Sequence, residues 1–261
     1  MLSYQHGYHA GNKADVLKHA VLHAVLSQFA DAGRPMLYVE THAARGYYDL
    51  NSDQARKTGE AAQGVLALPA AETAPKAIQP WLRLVQAKGP GAYPGSPALA
   101  RQLLGPDARL MLFELHPTEH KALSQTMRQD ARVRIRKEDG YRGALRLQPR
   151  RGEDMLVVLD PSYETEADMD ALAQWVPRAL RKWPKAKLVI WLPLFADGRE
   201  EAFGAFLAGL EEGFVAGSRW ARQSDDPSAL EGSAMIGLRI QGSAARKAFA
   251  ISAELDKLWE S

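Results

Sequence analysis

The stretch Met155-Leu156-Val157-Val158-Leu159-Asp160-Pro161-Ser162-Tyr163 decides how this chain is read. Five apolar residues in a row, too few for an ordinary helix and closed by Asp-Pro, describe a strand buried on both faces. Similar short runs stand at Met36 to Thr41, Leu110 to Leu115, Val133 to Arg136 and Leu188 to Leu192. Helical stretches separate most of them, which predicts an α/β domain built on a mostly parallel sheet.

Upstream, a first helix is expected from Lys13 to about Phe29. Asn12 is its N-cap, with Asp15 three residues on as a capping-box-like partner. Leu17, Val21, Val25 and Phe29 form one stripe, while His19 and His23 lie on another face. Ala32-Gly33-Arg34-Pro35 then breaks the helix ahead of the first strand. Downstream, β-rich runs near Phe214 to Arg222 and Ser233 to Gln241 predict a terminal hairpin, and Ala244 to Trp259 a last amphipathic helix. Residues 50–95 do not fit the alternation: they are alanine-rich, helix-forming and punctuated by Pro and Gly. A single crossover of that length is uncommon in a compact domain. The expectation is one domain over 1–261 with an inserted small helical subdomain at 50–95.

Composition bounds the chemistry. With 261 residues, 46% of them hydrophobic and 25% charged, the chain has ample material for a core. Zero cysteines exclude disulfides, thiolate metal sites and thiol nucleophiles. The first twenty residues lack the apolar core of a signal peptide, and no run is apolar enough to span a bilayer, so a soluble cytoplasmic protein is expected. The 33 basic and 31 acidic residues give a net charge of +2, but the charge is segregated. Eight positives fall in 131–151 (Arg132, Arg134, Arg136, Lys137, Arg142, Arg146, Arg150, Arg151), and five in 178–187. Between them, residues 153–170 carry seven acids and no base. The two basic blocks flank in sequence the strand that ends in Asp160, where phosphates of a nucleic acid would lie.

Ligands of open α/β sheets bind beyond the carboxyl ends of the strands. The strand ends here are polar: Glu40-Thr41-His42, Glu114-Leu115-His116-Pro117, Glu138-Asp139-Gly140 and Asp160-Pro161-Ser162-Tyr163. An acid after a second strand suits the two hydroxyls of a ribose. Asp160-Pro161-Ser162-Tyr163 can be a simple turn, but its residues also suit one reaction. An aromatic amine is a poor nucleophile because its lone pair is delocalised into the ring. The Asp160 carboxylate and the Pro161 carbonyl can accept its two N–H bonds and aim the nitrogen lone pair at an electrophilic methyl group. Tyr163 can stack on a base drawn out of its helix or loop. The bland alternatives at other positions stay open: His42 fits a buried structural histidine, and Ser96 before Pro97 fits a helix N-cap. His19/His23 and His116/His120 have zinc-like i, i+4 spacing, but neither pair has the Glu of H-E-x-x-H, so no metal is expected.

A resemblance joins these elements. Met1-Leu2-Ser3-Tyr4, His9-Ala10-Gly11-Asn12, Ala14-Asp15-Val16-Leu17-Lys18-His19, Thr41-His42-Ala43, Tyr93-Pro94-Gly95-Ser96-Pro97, Glu114-Leu115-His116-Pro117, Asp139-Gly140 and Asp160-Pro161-x-Tyr163 occur in this order. In that order they resemble the bacterial large-subunit (23S) rRNA adenine-N6 methyltransferase J family. The resemblance implies a Rossmann-like methyltransferase fold that uses S-adenosylmethionine to methylate an adenine of 23S rRNA. The implied partner is 23S rRNA, protein-free or in an early assembly intermediate, and the implied enzyme is a monomer with no membrane attachment. It also implies that His19, His42, Ser96, Glu114, Asp139, Gly140 and Asp160 line the cofactor site. Asp160, Pro161 and Tyr163 would be catalytic, and Tyr4 would gate the substrate. The same chemistry serves a DNA adenine methyltransferase, and a non-catalytic nucleic-acid-binding protein on this fold is a third reading.

Two departures from the family pattern matter. Its glycine-rich turn reads Ala44-Arg45-Gly46 here, so Ala44 is strained if the position needs a positive φ. Its Asp-Pro-Pro-Tyr reads Asp-Pro-Ser-Tyr, which frees one φ and adds a backbone donor.

Overall fold

The structure, a computed structural model, describes residues 5–163, 165–220, 226 and 229–260. Its elements run α1 (Lys13–Asp31), β1 (Met36–Glu40), β2 (Tyr47–Asp49), α2 (Asp53–Thr58), α3 (Gln79–Gln86), β3 (Ala92–Pro94), α4 (Ser96–Leu103), β4 (Arg109–Phe113) and α5 (Pro117–Met127). They continue with β5 (Val133–Arg136), α6 (Gly140–Ala144), β6 (Asp154–Leu159), α7 (Glu166–Lys182), β7 (Lys187–Phe195), α8 (Glu201–Ala208), β8 (Gly213–Arg219), β9 (Leu230–Leu238) and α9 (Ser243–Glu260).

The main sheet has seven strands in the order β5-β4-β1-β6-β7-β9-β8. The run from β5 to β7 is parallel throughout. The β8–β9 hairpin adds at one edge, with β9 antiparallel to β7. From β1 the chain moves outward to β4 and β5, then returns to β6 on the other side of β1. That reversal opens a crevice at the carboxyl ends of β1 and β6, where such sheets bind ligands. One face of the sheet is covered by α1, α4, α5 and α9, the other by α6, α7 and α8.

The first helix is capped as expected, with the Asn12 side chain accepting from the Asp15 N–H at 2.9 Å. It is buried almost all round rather than along one stripe, because α9 and α4 flank it on the same face of the sheet and α3 also packs on it. The Asp15 carboxylate does not complete a capping box; it accepts from the Gly11 N–H at 2.8 Å and turns to other partners.

Residues 50–95 hold α2, two 3-10 turns (Glu60–Ala62 and Val65–Ala67) and α3. The ends of this segment are tied by a two-stranded antiparallel ladder, with Tyr48 opposite Tyr93. Its buried side chains Leu50, Val65, Ile78, Trp81 and Leu82 join the same core cluster as α1. Ser96 proves to be the first residue of α4, with Gly95 as N-cap, so its hydroxyl is free of the capping role. Across the crevice, α6 begins hard against β1: a Cβ on Gly140 would sit 1.9 Å from the Thr41 carbonyl oxygen.

Candidate active site

Seven residues expected to share a site do meet. His19 from α1, His42 after β1, Ser96, Glu114 after β4, Asp139, Gly140 and Asp160 all line one cavity of about 440 Å³ at the carboxyl ends of the strands. Pro161 lines it as well. Tyr163 lines an adjoining cavity of about 540 Å³. Lys18, Ser162 and Trp191 border both, so the Asp160 loop forms the partition between two chambers.

Each wall is fixed by its own bonds. Glu114 accepts from the Ala44 N–H at 2.8 Å and the His116 N–H at 2.7 Å. Burial nevertheless pushes its carboxyl above the usual range. Asp139 caps α6 through the Arg142 N–H at 2.8 Å. The Ser96 hydroxyl donates to Glu40 Oε2 at 2.9 Å, and the Tyr38 hydroxyl donates to the other oxygen of the same carboxyl. Burial raises the Glu40 pKa to about 8. His42 bonds the Thr41 hydroxyl at 2.8 Å and meets the Tyr141 ring edge-on at 5.0 Å. His19 bonds the Tyr93 hydroxyl at 2.6 Å and is held down to about 4 by burial. His116 is the N-cap of α5, accepting from the Thr118 N–H at 3.2 Å. His19 and His116 are therefore committed to protein partners, and no group of three or more His, Cys, Asp or Glu suited to a metal occurs among the described residues.

Asp160 has the most consequential partner. Its Oδ2 accepts from Lys18 Nζ at 2.7 Å, and the same ammonium lies 3.0 Å from Asp15 Oδ1. Burial alone would raise Asp15, but the charges of His6, Lys18 and His19 hold it well below its usual range. His6 also bonds the Asp15 carboxylate, at 3.0 Å. One buried cation thus ties α1 to the end of β6. Tyr163 follows with φ at +51°, a conformation rare outside glycine. Its hydroxyl donates to the Trp191 carbonyl at 2.6 Å, and the two rings meet at 5.6 Å. Ala44 lies at φ +50°, so the turn after β1 does need the left-handed region where the chain lacks glycine.

Sequence reasoning missed Tyr141, quoted Glu40 only as a polar strand end and gave Lys18 no role. Lys18 reaches a partner 142 positions away, which leaves no local signal. Tyr141 sits in the cavity wall with a buried hydroxyl that has no hydrogen-bond partner among the described residues. Tyr4 lies outside the described residues.

The RsmJ family model, described as "Ribosomal RNA large subunit methyltransferase D, RlmJ", matches residues 33–239. The ribosomal RNA large subunit methyltransferase J of Escherichia coli (strain K12) is 33% identical over 198 residues, 74% of this chain and 71% of that protein. Its counterpart in Haemophilus influenzae (strain ATCC 51907 / DSM 11121 / KW20 / Rd) is 32% identical over 199 residues, with the same coverage. Among solved structures, Legionella pneumophila protein LPL1258 superposes with a TM-score of 0.84 at 24% identity, covering 96% of this chain and 94% of that one. That likeness is one of fold.

Proposed function

The chain belongs to the RlmJ family of ribosomal RNA large subunit methyltransferases, and from that premise we propose that it methylates the exocyclic N6 of an adenine in 23S rRNA. Its fold is the Rossmann-like fold of S-adenosylmethionine-dependent methyltransferases, and S-adenosylmethionine is its methyl donor.

The chamber that holds Glu114, Asp139 and Asp160 suits that cofactor. A cavity of about 440 Å³ falls in the usual range for a cofactor site. The Glu114 carboxyl after β4 is placed to accept from a ribose diol. The Tyr141 hydroxyl, buried and without a hydrogen-bond partner among the described residues, is available to a ligand. Glu114, Asp139 and Asp160 put carboxylates around a ligand that is itself cationic. His19, His42, Ser96, Glu114, Asp139, Gly140 and Asp160 would hold the cofactor, which supplies an electrophilic methyl group on a sulfonium.

The observation that carries the reading is the position of Asp160, lining the first chamber at the start of the loop whose Ser162 borders both, and held there by Lys18. With Oδ2 bonded to Lys18, Oδ1 remains to accept one N–H of the target amine, and the Pro161 carbonyl accepts the other. Aimed in this way, the amine nitrogen directs its lone pair toward the cofactor chamber. Tyr163, clamped by its bond to the Trp191 carbonyl, offers its ring to the base in the second chamber. Such preorganised acceptors are worth about 10²–10³ in rate each.

The same reading makes 1–261 one methyltransferase domain with 50–95 inserted. The β2–β3 tie and the shared core support it. It also makes the substrate 23S rRNA that is protein-free or in an early assembly intermediate, because the target base must leave its helix or loop, and the enzyme a monomer. Methyl transfer from labelled S-adenosylmethionine to protein-free 23S rRNA, intact ribosomes and duplex DNA tests the substrate assignment. Label is expected in protein-free rRNA; label in DNA alone, or none in any RNA, rejects the assignment.

A further inference from the structure

We propose that the open β4–β5 edge of the sheet is a track for the phosphate backbone of RNA lying beyond the methylated nucleotide. The proposal rests on the RNA-methyltransferase reading above and deepens it. The parallel register sets Met111 beside Arg134 and Phe113 beside Arg136, so both arginines point to the face that carries Met111 and Phe113. On that face the crossover from β5 to β6 supplies only the five-residue α6. A full crossover helix would cover the sheet edge; here Met111 is left partly exposed, shared by two open troughs of about 250 and 510 Å³. Arg136 and Arg146 border the upper trough, Arg134 and Arg150 the lower, and all four are exposed.

The acids nearby are largely taken. Glu138 pairs with Arg146, Glu153 is gripped by Arg109 at 2.8 and 2.6 Å, and Asp130 pairs with Arg132 at 2.7 Å. Asp107 also faces the lower trough. No ion pair joins Arg134, Arg136 or Arg150 to a carboxylate among the described residues. Two sequence expectations change here. Arg132 is structural rather than available to phosphate, since its guanidinium donates to the carbonyls of Arg101, Leu104 and Gly105. The block 178–187 runs down α7 into the start of β7, at the end of the sheet opposite Asp160, so it does not flank the active loop in space.

The shape selects the partner. A row of arginines along an open edge, with no enclosing wall, fits an extended polyanion and not a metabolite. Arg150 lies just before β6 and Asp160 just after it, about 20 Å apart at roughly 3.3 Å per residue. A target nucleotide alone does not span that distance, whereas a structured RNA does.

The test compares the full chain with the variant R134Q/R136Q/R150Q, which keeps the stems and Arg146. Affinity for protein-free 23S rRNA is measured across salt concentrations, beside a short oligonucleotide carrying the target adenine and a duplex DNA. Three lost phosphate contacts lower the salt slope by about two to three. Between about 50 and 200 mM salt the wild-type affinity should then fall roughly 20- to 40-fold further than the variant's. The KM for 23S rRNA should rise, with kcat and short-oligonucleotide affinity unchanged. An unchanged slope for 23S rRNA, a wild-type protein that does not bind it, or an effect confined to DNA overturns the track. Because binding is read directly, failure of methyl transfer would reject the functional reading while the slopes still decide the track. If the triple variant fails to fold, R134Q and R136Q singly should each lower the slope by about 0.9, and a slope that stays unchanged in both overturns the track.

Discussion

Replacing Glu40 with glutamine should remove most of the loss of stability that this fold suffers between mildly acidic and mildly alkaline pH. Glu40 is 1% exposed, and its pKa of about 8 means the native state holds the carboxyl neutral at pH 7. The unfolded chain releases that proton near 4.5. A folded pKa above the unfolded one contributes stability that is fully present below pH 4.5 and lost as pH rises through 8. The slope is about 1.4 kcal/mol per pH unit, so wild type should lose about 3 kcal/mol from this group between about pH 5.5 and 8. Glutamine reproduces the neutral acid: its carbonyl accepts from the Tyr38 hydroxyl and its amide N–H donates to Ser96 Oγ. The assay is equilibrium urea unfolding of both proteins across that pH range, read as the difference between them. The difference cancels the other titrating groups. Chief among these are His19 and His23, both near 4 when folded, whose contribution is present above pH 6.5 and lost as pH falls toward 4. A wild-type-minus-variant difference that stays flat from about pH 5.5 to 8 would refute the reasoning, because Glu40 would then ionise alike in both states.

Three other substitutions probe the site and its scaffold. Asp160→Asn should cut methyl transfer roughly 100- to 1,000-fold while calorimetry still detects S-adenosylmethionine binding; near-normal turnover would remove the carboxylate from the mechanism. Lys18→Met leaves the Asp15 and Asp160 carboxylates without their shared cation, and chemical unfolding should show a loss of about 3–5 kcal/mol. Ala44→Gly relieves the positive φ, worth about 1–2 kcal/mol. Glycine's greater freedom in the unfolded chain returns about 0.4–1 kcal/mol of that. Denaturation should therefore report a net gain of roughly 0.5–1 kcal/mol, and a net loss would mean that the turn is not strained.

What the sequence shows well is what nearby residues decide. Met155 to Leu159 reads as a strand because burial on both faces leaves no polar position in it. The acids at the strand ends stand out because they follow such runs directly. Ala44 could be flagged because the conformational cost at one position depends on that position alone. The β2–β3 ladder escapes notice because three-residue strands carry no periodicity, and their pairing spans the whole 50–95 segment. Lys18 looks like one more charge on a helix until the fold brings Asp160 to it. Arg132 and Arg134 are two residues apart and look alike in sequence. They differ because the first is held by the Asp130 carboxylate and by carbonyls at the end of α4, while the second donates through Nη1 only to the neighbouring Ala131 and Val133 carbonyls and stands on an uncovered strand.

The buried charges of the crevice form one system, and their balance explains why the acceptor carboxylate is usable. Asp15, Glu40 and Asp160 converge around the single ammonium of Lys18. Three ionised carboxylates around one cation would leave a large uncompensated negative charge in a site of low polarisability. Two devices prevent this. His6 and the Gly11 N–H add to Lys18 in holding Asp15 ionised, and burial together with the charge of Asp160 keeps Glu40 protonated. Neutral Glu40 removes one repulsion from Asp160, and ionised Asp15 helps hold Lys18 where it bonds Oδ2 of Asp160. In the proposed mechanism Asp160 then keeps Oδ1 for the target amine, without needing a conformational change to free it. The coupling also has a direction: the charge of Asp160 raises the Glu40 pKa and that of Lys18 lowers it. Neutralising Asp160 therefore eases ionisation of Glu40, whereas removing Lys18 opposes it, so the proton on Glu40, at the end of the strand beside β6, responds to the charges of Asp160 and Lys18.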